Sequence, residues 1–369
     1  MHIDQVNVRP IEGLVRELWD RGGTDIHIAA GAPPMFRIDG ELHPVAGHAP
    51  LQPDEIETLV GAMLPQELQD AFLANKVVDF SFSWEDLTRF RGNVFRQRGQ
   101  IGIALRAIAY EIPTMEDLLL PPVLGQFCLQ RQGLVLMTGP TGAGKSTTQA
   151  AMIGRINGTQ RRHILTLEDP IEYVHQNRTS IVSQREIGFD TLSFQDGLKS
   201  ALREDPDVVL VGEMRDPESI AATLTVAETG HLVFATLHTN DASSALDRIV
   251  DVFPSERQAQ VRVQLASSLT GVVAQRLIPR TDGGMIAAFE VLLANTATRS
   301  LIREGKSHQI RNVIAQSVRE GMQTLEQSLS VLVAHGLITY EDALAHAVVP
   351  KEVRPPAPVA APAPMAPTA

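Results

Sequence analysis

The amino-acid sequence predicts an α/β protein with two domains. Its 369 residues exceed the length of a usual single domain, and 44% of them are hydrophobic, enough to fill two cores. The pattern also changes near residue 132, where alternating apolar and polar residues give way to continuous apolar runs separated by helical stretches. We therefore expect a mostly antiparallel sheet in the first domain and a buried parallel sheet in the second.

The first domain is expected over residues 1–108. Residues 11–20 predict a short amphipathic helix, and extended segments punctuated by turn-forming pairs such as Gly22-Gly23 follow it. Strict alternation from residue 78 to 84 predicts a strand with one buried face. The residues of that face are Val78, Phe80, Phe82 and Trp84, and the pattern repeats at Ile101, Ile103 and Leu105. Prolines at 113, 121 and 122 then indicate an interdomain linker over residues 109–120.

The second domain is expected over residues 121–353. Four apolar runs predict its parallel strands: Leu134–Met137, Ile164–Leu167, Val208–Val211 and Leu232–Ala235. Asp216 is a suitable cap for the helix after the third run, Pro217 suits its first turn, and Gly230 suits its end. Past Asp241 the pattern predicts mostly helix to about residue 347. Residues 354–369 are rich in proline and alanine, a composition that predicts a disordered tail.

Composition excludes several classes of protein. The net charge of −11 argues against sequence-independent binding to nucleic acid, which requires a basic surface. The single cysteine, Cys128, excludes an internal disulfide and a cysteine-rich zinc site, and we interpret it as a buried thiol. The first residues lack the pattern of a signal peptide, and no apolar run approaches the roughly 20 residues that span a bilayer. We expect a soluble cytoplasmic protein.

A glycine-rich segment carries the strongest chemical signal. Its residues are Gly139, Pro140, Thr141, Gly142, Ala143, Gly144, Lys145, Ser146 and Thr147. They lie between a predicted strand and a predicted helix over 147–156, the context of a phosphate-binding loop whose backbone N–H groups turn toward phosphate oxygens. Lys145 would contact the β- and γ-phosphates, Ser146 would bind Mg²⁺ and Thr147 would contact the α-phosphate. The expected cofactors are ATP and Mg²⁺.

Carboxylates follow two of the predicted parallel strands, at the sheet edge where open α/β folds bind ligands. Glu213 follows the third strand, and we predict that it is the general base for the attacking water. Glu168 follows the second strand and is expected to orient the water or the hydrated metal, with Asp169 and Glu172 as weaker candidates. An ordinary solvated carboxylate is the alternative for each.

Two histidines flank the fourth strand. His238 lies at the same edge as the carboxylates and could sense the γ-phosphate or stabilise charge on the leaving group. His231 lies at the opposite end, where a structural role is expected. Their spacing does not resemble a zinc site.

Arginines that stabilise the transferred phosphoryl group are also expected. The second domain offers Arg203 and Arg215. The first domain ends in a denser set: Arg89, Arg91, Arg96, Arg98 and Arg106. A solvated or salt-bridged basic face is the alternative interpretation of this set.

Together these segments resemble the type II/IV secretion ATPase superfamily, and within it the type IV pilus retraction ATPases of the PilT family. Beside the phosphate loop, residues 167–172 look like the Asp box, residues 207–216 look like the Walker B segment and residues 230–241 look like the His box. Residues 24–27 and 90–93 are similar to the N-terminal domain of the superfamily. The resemblance covers about residues 5–350.

The resemblance implies a PAS-like first domain and a RecA-like second domain with a helical C-terminal part, which hold ATP between them in a homo-hexameric ring. It implies that Arg91, Arg98 and Arg106 contact the γ-phosphate and that rotation about the linker performs work. It further implies a motor for pilus retraction and twitching motility, at the inner face of the cytoplasmic membrane. Its partners would be an inner-membrane platform protein of the pilus and, in some systems, a paralogous retraction ATPase, with no nucleic acid and with membrane association only through partners.

Two features bear on which member of the superfamily this is. Pilus extension and type II secretion ATPases typically carry an extra N-terminal region and a four-cysteine zinc module. We expect no extra region here, and a single cysteine cannot form such a module. The Ala-Ile-Arg-Asn-Leu-Ile motif of retraction ATPases stands here as Ala-Thr-Arg-Ser-Leu-Ile over residues 297–302. A PilU-like accessory paralogue and a secretion or DNA-uptake ATPase therefore stay open, as does a nucleotide-binding regulatory subunit without hydrolysis.

Overall fold

The computed structural model describes residues 6–38, 40–85, 88–108 and 112–356. They form two compact units. The first runs to Ile112 and includes Glu172–Val174, and the second comprises Pro113–Ile171 and the chain from His175 onward.

The described part of the first unit is an antiparallel sheet with three helices. Its strands are β1 Asp25–Ala29, β2 Met35–Ile38, β3 Glu41–Pro44, β4 Val77–Trp84, β5 Thr88–Gln97 and β6 Gln100–Ile108, in the spatial order β3-β2-β1-β6-β5-β4. Its helices are α1 Glu12–Asp20, α2 Pro53–Met63 and α3 Gln66–Asn75. The helix predicted over 11–20 is confirmed as α1.

Alternation along the strands determines the core of this unit. Val78, Phe80, Phe82 and Trp84 of β4 are all buried, as predicted, and so are Ile101, Ile103 and Leu105 of β6. They join one apolar cluster with the buried residues of the three helices. Asp25 of β1, Arg91 of β5 and Arg106 of β6 lie opposite one another in the register and on the other face of the sheet.

The described part of the second unit is a seven-stranded sheet with helices. The strands are β7 Gly133–Thr138, β8 His163–Glu168, β9 Ile181–Glu186, β10 Val208–Val211, β11 Leu232–Leu237, β12 Leu269–Pro279 and β13 Met285–Leu293, in the order β13-β12-β7-β11-β10-β8-β9. The helices are α4 Pro122–Cys128, α5 Lys145–Thr159, α6 Phe194–Ala201, α7 Pro217–Glu228, α8 Ala242–Asp251, α9 Ser255–Ser268, α10 Thr296–Glu304, α11 Ile310–Gln316, α12 Leu325–Ala334 and α13 Tyr340–His346.

The four predicted strands are confirmed as β7, β8, β10 and β11, and they pair in parallel. Every residue of β7, β10 and β11 is buried, which explains their continuous apolar runs. The signals at the ends of α7 are also confirmed. The side chain of Asp216 accepts a hydrogen bond from the backbone of Ser219, Pro217 is the first helical residue, and Gly230 has a φ of 103° just past the end.

The prediction of mostly helix after Asp241 is wrong for residues 269–293, which form the hairpin β12–β13. β12 lies beside β7 in parallel and β13 forms the edge of the sheet. No glycine or proline separates α9 from β12, because the last residue of the helix, Ser268, is followed directly by Leu269. The sequence therefore gives no break between two apolar segments of different period.

The predicted linker and tail lie partly outside the described residues. Residues 113–120 belong to the second unit, where Met115 and Leu120 are buried in the core, and residues 109–111 lie outside the description. Of the predicted tail, only 354–356 are described, and the backbone N–H of Arg354 donates to Ser330 Oγ at 2.9 Å. Cys128 is buried as predicted. Within the described ranges, no helix is both long enough and apolar enough to cross a bilayer.

Candidate nucleotide-binding site

The glycine-rich segment leaves the end of β7 and enters α5 at Lys145. Gly139, Gly142 and Gly144 have φ values of 144°, 78° and 80°, in the region that favours glycine. These residues turn the chain around the N-terminus of a 15-residue helix, whose free N–H groups and positive dipole end attract anions. The loop thus has the geometry of a phosphate cradle.

Lys145 is folded against this loop. Its side chain is only 7% exposed, and Nζ donates to the carbonyl oxygens of Gly139 at 2.7 Å and Pro140 at 2.9 Å. The ammonium group is therefore held within the cradle itself.

Gln275 also contacts the loop. It lies on β12, the strand beside β7, and it was not predicted from the sequence. Its Nε2 donates to the carbonyl oxygen of Ala143 at 2.7 Å, and its Oε1 accepts from Thr148 Oγ1 at 2.8 Å. The side chain is 2% exposed. No motif indicated this residue, since a glutamine in a segment predicted to be helical gives no sign that it faces a phosphate loop.

Glu213 extends from the end of β10 and contacts the side chains of Arg215 and His238. Its Oε2 lies 2.7 Å from Arg215 Nη2 and its Oε1 lies 3.2 Å from His238 Nε2. Burial acts to raise the pKa of Glu213, but the hydrogen bond from Arg215 and the neighbouring His238 outweigh it, so the pKa lies below its ordinary value. The structure therefore brings two predicted residues, Arg215 and His238, to the carboxylate of a third, Glu213.

Glu168 ends the neighbouring strand β8. Its Oε1 accepts from Thr166 Oγ1 at 2.6 Å and from Gln184 Nε2 at 3.2 Å. Asp169, the next residue, lies 3.8 Å from Arg215 Nη1. Because β8 and β10 are adjacent and parallel, Glu168 and Glu213 emerge at the same edge of the sheet. Glu172 belongs to the other unit.

Hydroxyl groups connect the strand of His238 to the phosphate loop. Thr138, the last residue of β7, accepts from the backbone N–H of Thr239 at 3.0 Å, and Thr236 Oγ1 donates to Gln149 Oε1 of α5 at 3.0 Å. Gln149 was also missed by sequence reasoning. It is buried, and its Nε2 has no hydrogen-bond partner within the part of the chain that the structure describes.

His231 lies at the far end of the strand, away from these groups. Its Nδ1 is 3.0 Å from the carbonyl oxygen of Val226 and 3.1 Å from Thr229 Oγ1, so its contacts hold the end of α7. These contacts agree with the structural role expected for it.

Two cavities open beside the loop. One of about 610 Å³ is lined by Pro140–Ala143, Asn240, Arg276 and His346. The other, of about 250 Å³, is lined by Leu118–Leu120, Leu277 and Met285 and by the polar residues Thr147, Thr148, Gln275 and Arg280. The second lies against Thr147, which was assigned to the α-phosphate from the sequence, and the leucines of its wall suit a flat ring.

The arginines of the first unit differ in their contacts. Arg89 is buried and donates to Ser81 Oγ at 2.7 Å, and Arg96 lies over the ring of Phe72 and donates to the carbonyl oxygen of Gly99. These two residues contribute to the packing of the unit. Arg203 of the second unit is exposed.

Arg106 is held at 2.7 Å from Asp25, a buried carboxylate of β1. Arg91 lies opposite Arg106 in the sheet register, and Arg98 occupies the hairpin turn after β5 with a φ of 50°. Both are exposed and, among the described residues, have no ion pair. Of the three arginines predicted to contact the γ-phosphate, Arg106 is therefore paired with a carboxylate, whereas Arg91 and Arg98 have no ionic partner among the described residues.

The altered motif at residues 297–302 lies in α10. Arg299 donates to the backbone carbonyl oxygens of Ala266, Ser267 and Leu269, where α9 ends. Thr298 is fully buried, and its hydroxyl donates to the carbonyl oxygen of Leu293 at 2.9 Å. The arginine thus caps a helix, and the threonine that replaces the isoleucine of the motif has a partner in the fold.

Comparison with known proteins places these features in a family. Residues 115–345 match the family described as type II/IV secretion system protein. The chain is 46% identical to the type IV pilus retraction ATPase PilT of Pseudomonas aeruginosa over 90% of this chain and 96% of the relative, and 45% identical to the type IV pilus ATPase PilU of the same organism over 91% and 88%. A crystal structure of the pilus retraction motor PilT with bound ADP superposes with a TM-score of 0.87 at 47% identity, covering 93% of this chain and 98% of that one.

Proposed function

We propose that this chain, which belongs to the type II/IV secretion system protein family, is a motor ATPase that couples ATP hydrolysis to retraction of a type IV pilus. The single observation that carries the proposal is the cradle at residues 139–147 combined with Glu213 and Glu168 at the same edge of the sheet. Similarity to PilT over nine tenths of the chain supports the motor function.

The phosphate groups of ATP bind the backbone N–H groups of the loop in this proposal. Lys145 exchanges its two carbonyl contacts for β- and γ-phosphate oxygens, which offer stronger charge-assisted bonds. The adenine base of ATP occupies the 250 Å³ cavity beside Thr147.

The donor set at the loop suits Mg²⁺. The ion prefers oxygen ligands and keeps several waters, so it is usually held by one or two protein groups together with phosphates. Ser146 offers a hydroxyl at the first turn of α5, and Glu168 offers a carboxylate that would act through water. When bound, the ion neutralises charge that develops on the β- and γ-phosphates.

Glu213 accepts the proton of the attacking water. Arg215 and His238 occupy one site on each of its oxygens, and a carboxylate has about four acceptor sites, so positions for a water remain. With its lowered pKa it is ionised at neutral pH, so its oxygens accept hydrogen bonds from the water that it orients. His238 lies beside Glu213 and can stabilise the charge that develops as the γ-phosphate leaves.

Arg91, Arg98 and Arg106 supply positive charge to the γ-phosphate in this proposal, from the first domain of a homo-hexamer. Arg106 would have to break its ion pair with Asp25 in order to bind phosphate, whereas Arg91 and Arg98 have no ion pair to break among the described residues. We therefore rank Arg91 and Arg98 ahead of Arg106. The ring would act on an inner-membrane platform protein, at the cytoplasmic face of the membrane.

An accessory retraction ATPase is the second candidate. Identity to PilU is almost equal to identity to PilT, and the motif at 297–302 departs from that of the retraction ATPases. The buried hydrogen bond of Thr298 shows that one departure is accommodated in the fold, so it does not by itself argue for loss of motor activity.

Two measurements test the proposal. Purified full-length chain should release phosphate from ATP in the presence of Mg²⁺, and Lys145→Ala should abolish release. Expression in a bacterium that lacks its retraction ATPase should restore shortening of pili, with Lys145→Ala as the control. Phosphate release without restored shortening, but with enhancement of a co-expressed retraction ATPase, would favour the accessory role. Absence of phosphate release would contradict both.

A further inference from the structure

Gln275 occupies a position that the proposed reaction has not used. Its amide is engaged at both ends, by the carbonyl oxygen of Ala143 in the loop and by the hydroxyl of Thr148 in the first turns of α5. An amide with one donor and one acceptor bond in place cannot flip without losing both. The side chain therefore joins the loop to the helix in one fixed geometry.

The backbone of Gln275 also fits against the loop. Ala274 pairs with Thr138, the last residue of β7, so Gln275 stands beside Gly139 where the chain leaves the sheet. A Cβ at Gly139 would lie 2.3 Å from the carbonyl oxygen of Gln275, and one at Gly144 would lie 2.9 Å from its Nε2. Two of the three glycines with positive φ thus make room for this residue, in addition to giving the loop its backbone conformation.

We propose that Gln275 is a positioning residue for nucleotide binding. Its amide bonds to Ala143 and Thr148 hold the phosphate loop, so that the loop keeps its binding conformation before the ligand arrives. Holding a loop in its bound conformation removes an ordering cost that would otherwise weaken affinity. The inference rests on the proposed function, because it assigns a role in the same site, but Gln275 is not expected to touch the reacting atoms.

Three variants test the assignment. Gln275→Glu keeps the shape and replaces the donor with a carboxylate oxygen against the carbonyl of Ala143. Gln275→Met removes both polar atoms at similar volume, and Thr148→Val removes the hydroxyl partner. We expect each to weaken ADP binding by about tenfold or more in titration calorimetry, the effect of losing one or two hydrogen bonds that maintain the loop. Thr148→Ser, which keeps the hydroxyl, should stay within threefold of wild type.

A double variant and a surface control sharpen the result. Because Gln275 and Thr148 share one bond, the variant that combines Gln275→Met with Thr148→Val should bind ADP more tightly than the product of the two single losses predicts. Gln130→Glu replaces an exposed glutamine of the same unit and should leave affinity unchanged.

Thermal unfolding of the ligand-free variants separates positioning from general structure. A residue that only stabilises the fold would lower the melting temperature and leave the ADP affinity of the folded protein within threefold of wild type. That outcome in both Gln275→Met and Thr148→Val would overturn the inference. Failure of the proposed function is distinguishable, since wild-type protein would then not bind ADP or Lys145→Ala would bind it equally well.

Discussion

Replacement of Glu213 by glutamine separates chemistry from binding. Glutamine keeps the size of the side chain and one acceptor oxygen, and it loses the negative charge. Arg215 and His238 hold the carboxylate at 2.7 and 3.2 Å, so a glutamine can still accept from one of them. The phosphate loop is untouched by the change, and we therefore expect ATP to bind as in the wild type.

The structure predicts a small loss of stability and a large loss of rate. The side chains of Arg215 and His238 are 60% and 38% exposed, so solvent screens both pairs and each contributes about 0–1 kcal/mol. Together the two pairs contribute about 2 kcal/mol at most, which corresponds to a fall in melting temperature of about 4–8 °C at most. A general base contributes about 10²–10⁴ to the rate, or about 3–5 kcal/mol of the barrier.

The assay is steady-state phosphate release, together with the affinity for a fluorescent ATP analogue and thermal unfolding. Glu218→Gln is a matched control, because Glu218 is exposed in the first turn of α7, five residues away. Glu213→Gln should fall at least a hundredfold in rate at unchanged affinity, and Glu218→Gln should match the wild type. Retention of more than a tenth of the wild-type rate would refute the assignment of Glu213 as the base.

Three further predictions concern other residues of the second unit. Burial raises the pKa of Cys128 to about 12, so a maleimide at pH 8 should label it only after unfolding, and rapid labelling of the native protein would contradict the buried thiol. Burial lowers the pKa of His175 to about 4, so below pH 6.5 the unfolded chain binds a proton that the folded chain excludes, and the free energy of unfolding decreases as the pH is lowered. Between pH 7 and pH 5, urea unfolding should show a loss of stability that is about 1–2 kcal/mol smaller in His175→Gln than in the wild type. An equal loss in the two proteins would contradict this prediction. Arg299→Ala leaves the carbonyl oxygens at the end of α9 without their donor and should lower the free energy of unfolding by about 1–3 kcal/mol. The stability of Arg299→Lys should lie between those of the alanine variant and the wild type. Wild-type stability of the alanine variant would show that the cap is dispensable.

The elements that the sequence predicted correctly are those whose pattern follows directly from burial. Strands β7, β10 and β11 are covered on both faces, which requires continuous apolar runs, and β4 is covered on one face, which requires alternation. The helix α7 was bounded correctly because its cap, its first proline and the glycine after it act through local backbone geometry.

The hairpin β12–β13 could not be predicted in the same way. Its position is fixed by pairing of β12 with β7, more than 120 residues earlier in the chain, and local propensity contains no such information. The turn at 281–284 has two glycines with positive φ, Gly283 and Gly284, but a turn signal without a recognised strand on either side predicts only a loop.

The same reasoning explains which residues of the candidate site can be proposed from the sequence. Lys145, Glu168 and Glu213 belong to segments whose residue types are typical of a nucleotide-binding site, so they can be proposed as site residues from the sequence. Gln275 bonds to the loop and to α5 through its amide, and Gln149 of α5 accepts a hydrogen bond from Thr236 of β11. The sequence does not distinguish a buried glutamine of this kind from an exposed one. Their roles depend on which distant backbone atoms they reach, such as the carbonyl oxygen of Ala143. A site of this kind is therefore recognised from its ligand-binding residues, whereas the groups that hold those residues in place become visible only when the chain is folded. Substitutions at these supporting groups should accordingly change affinity without changing any residue of the motifs.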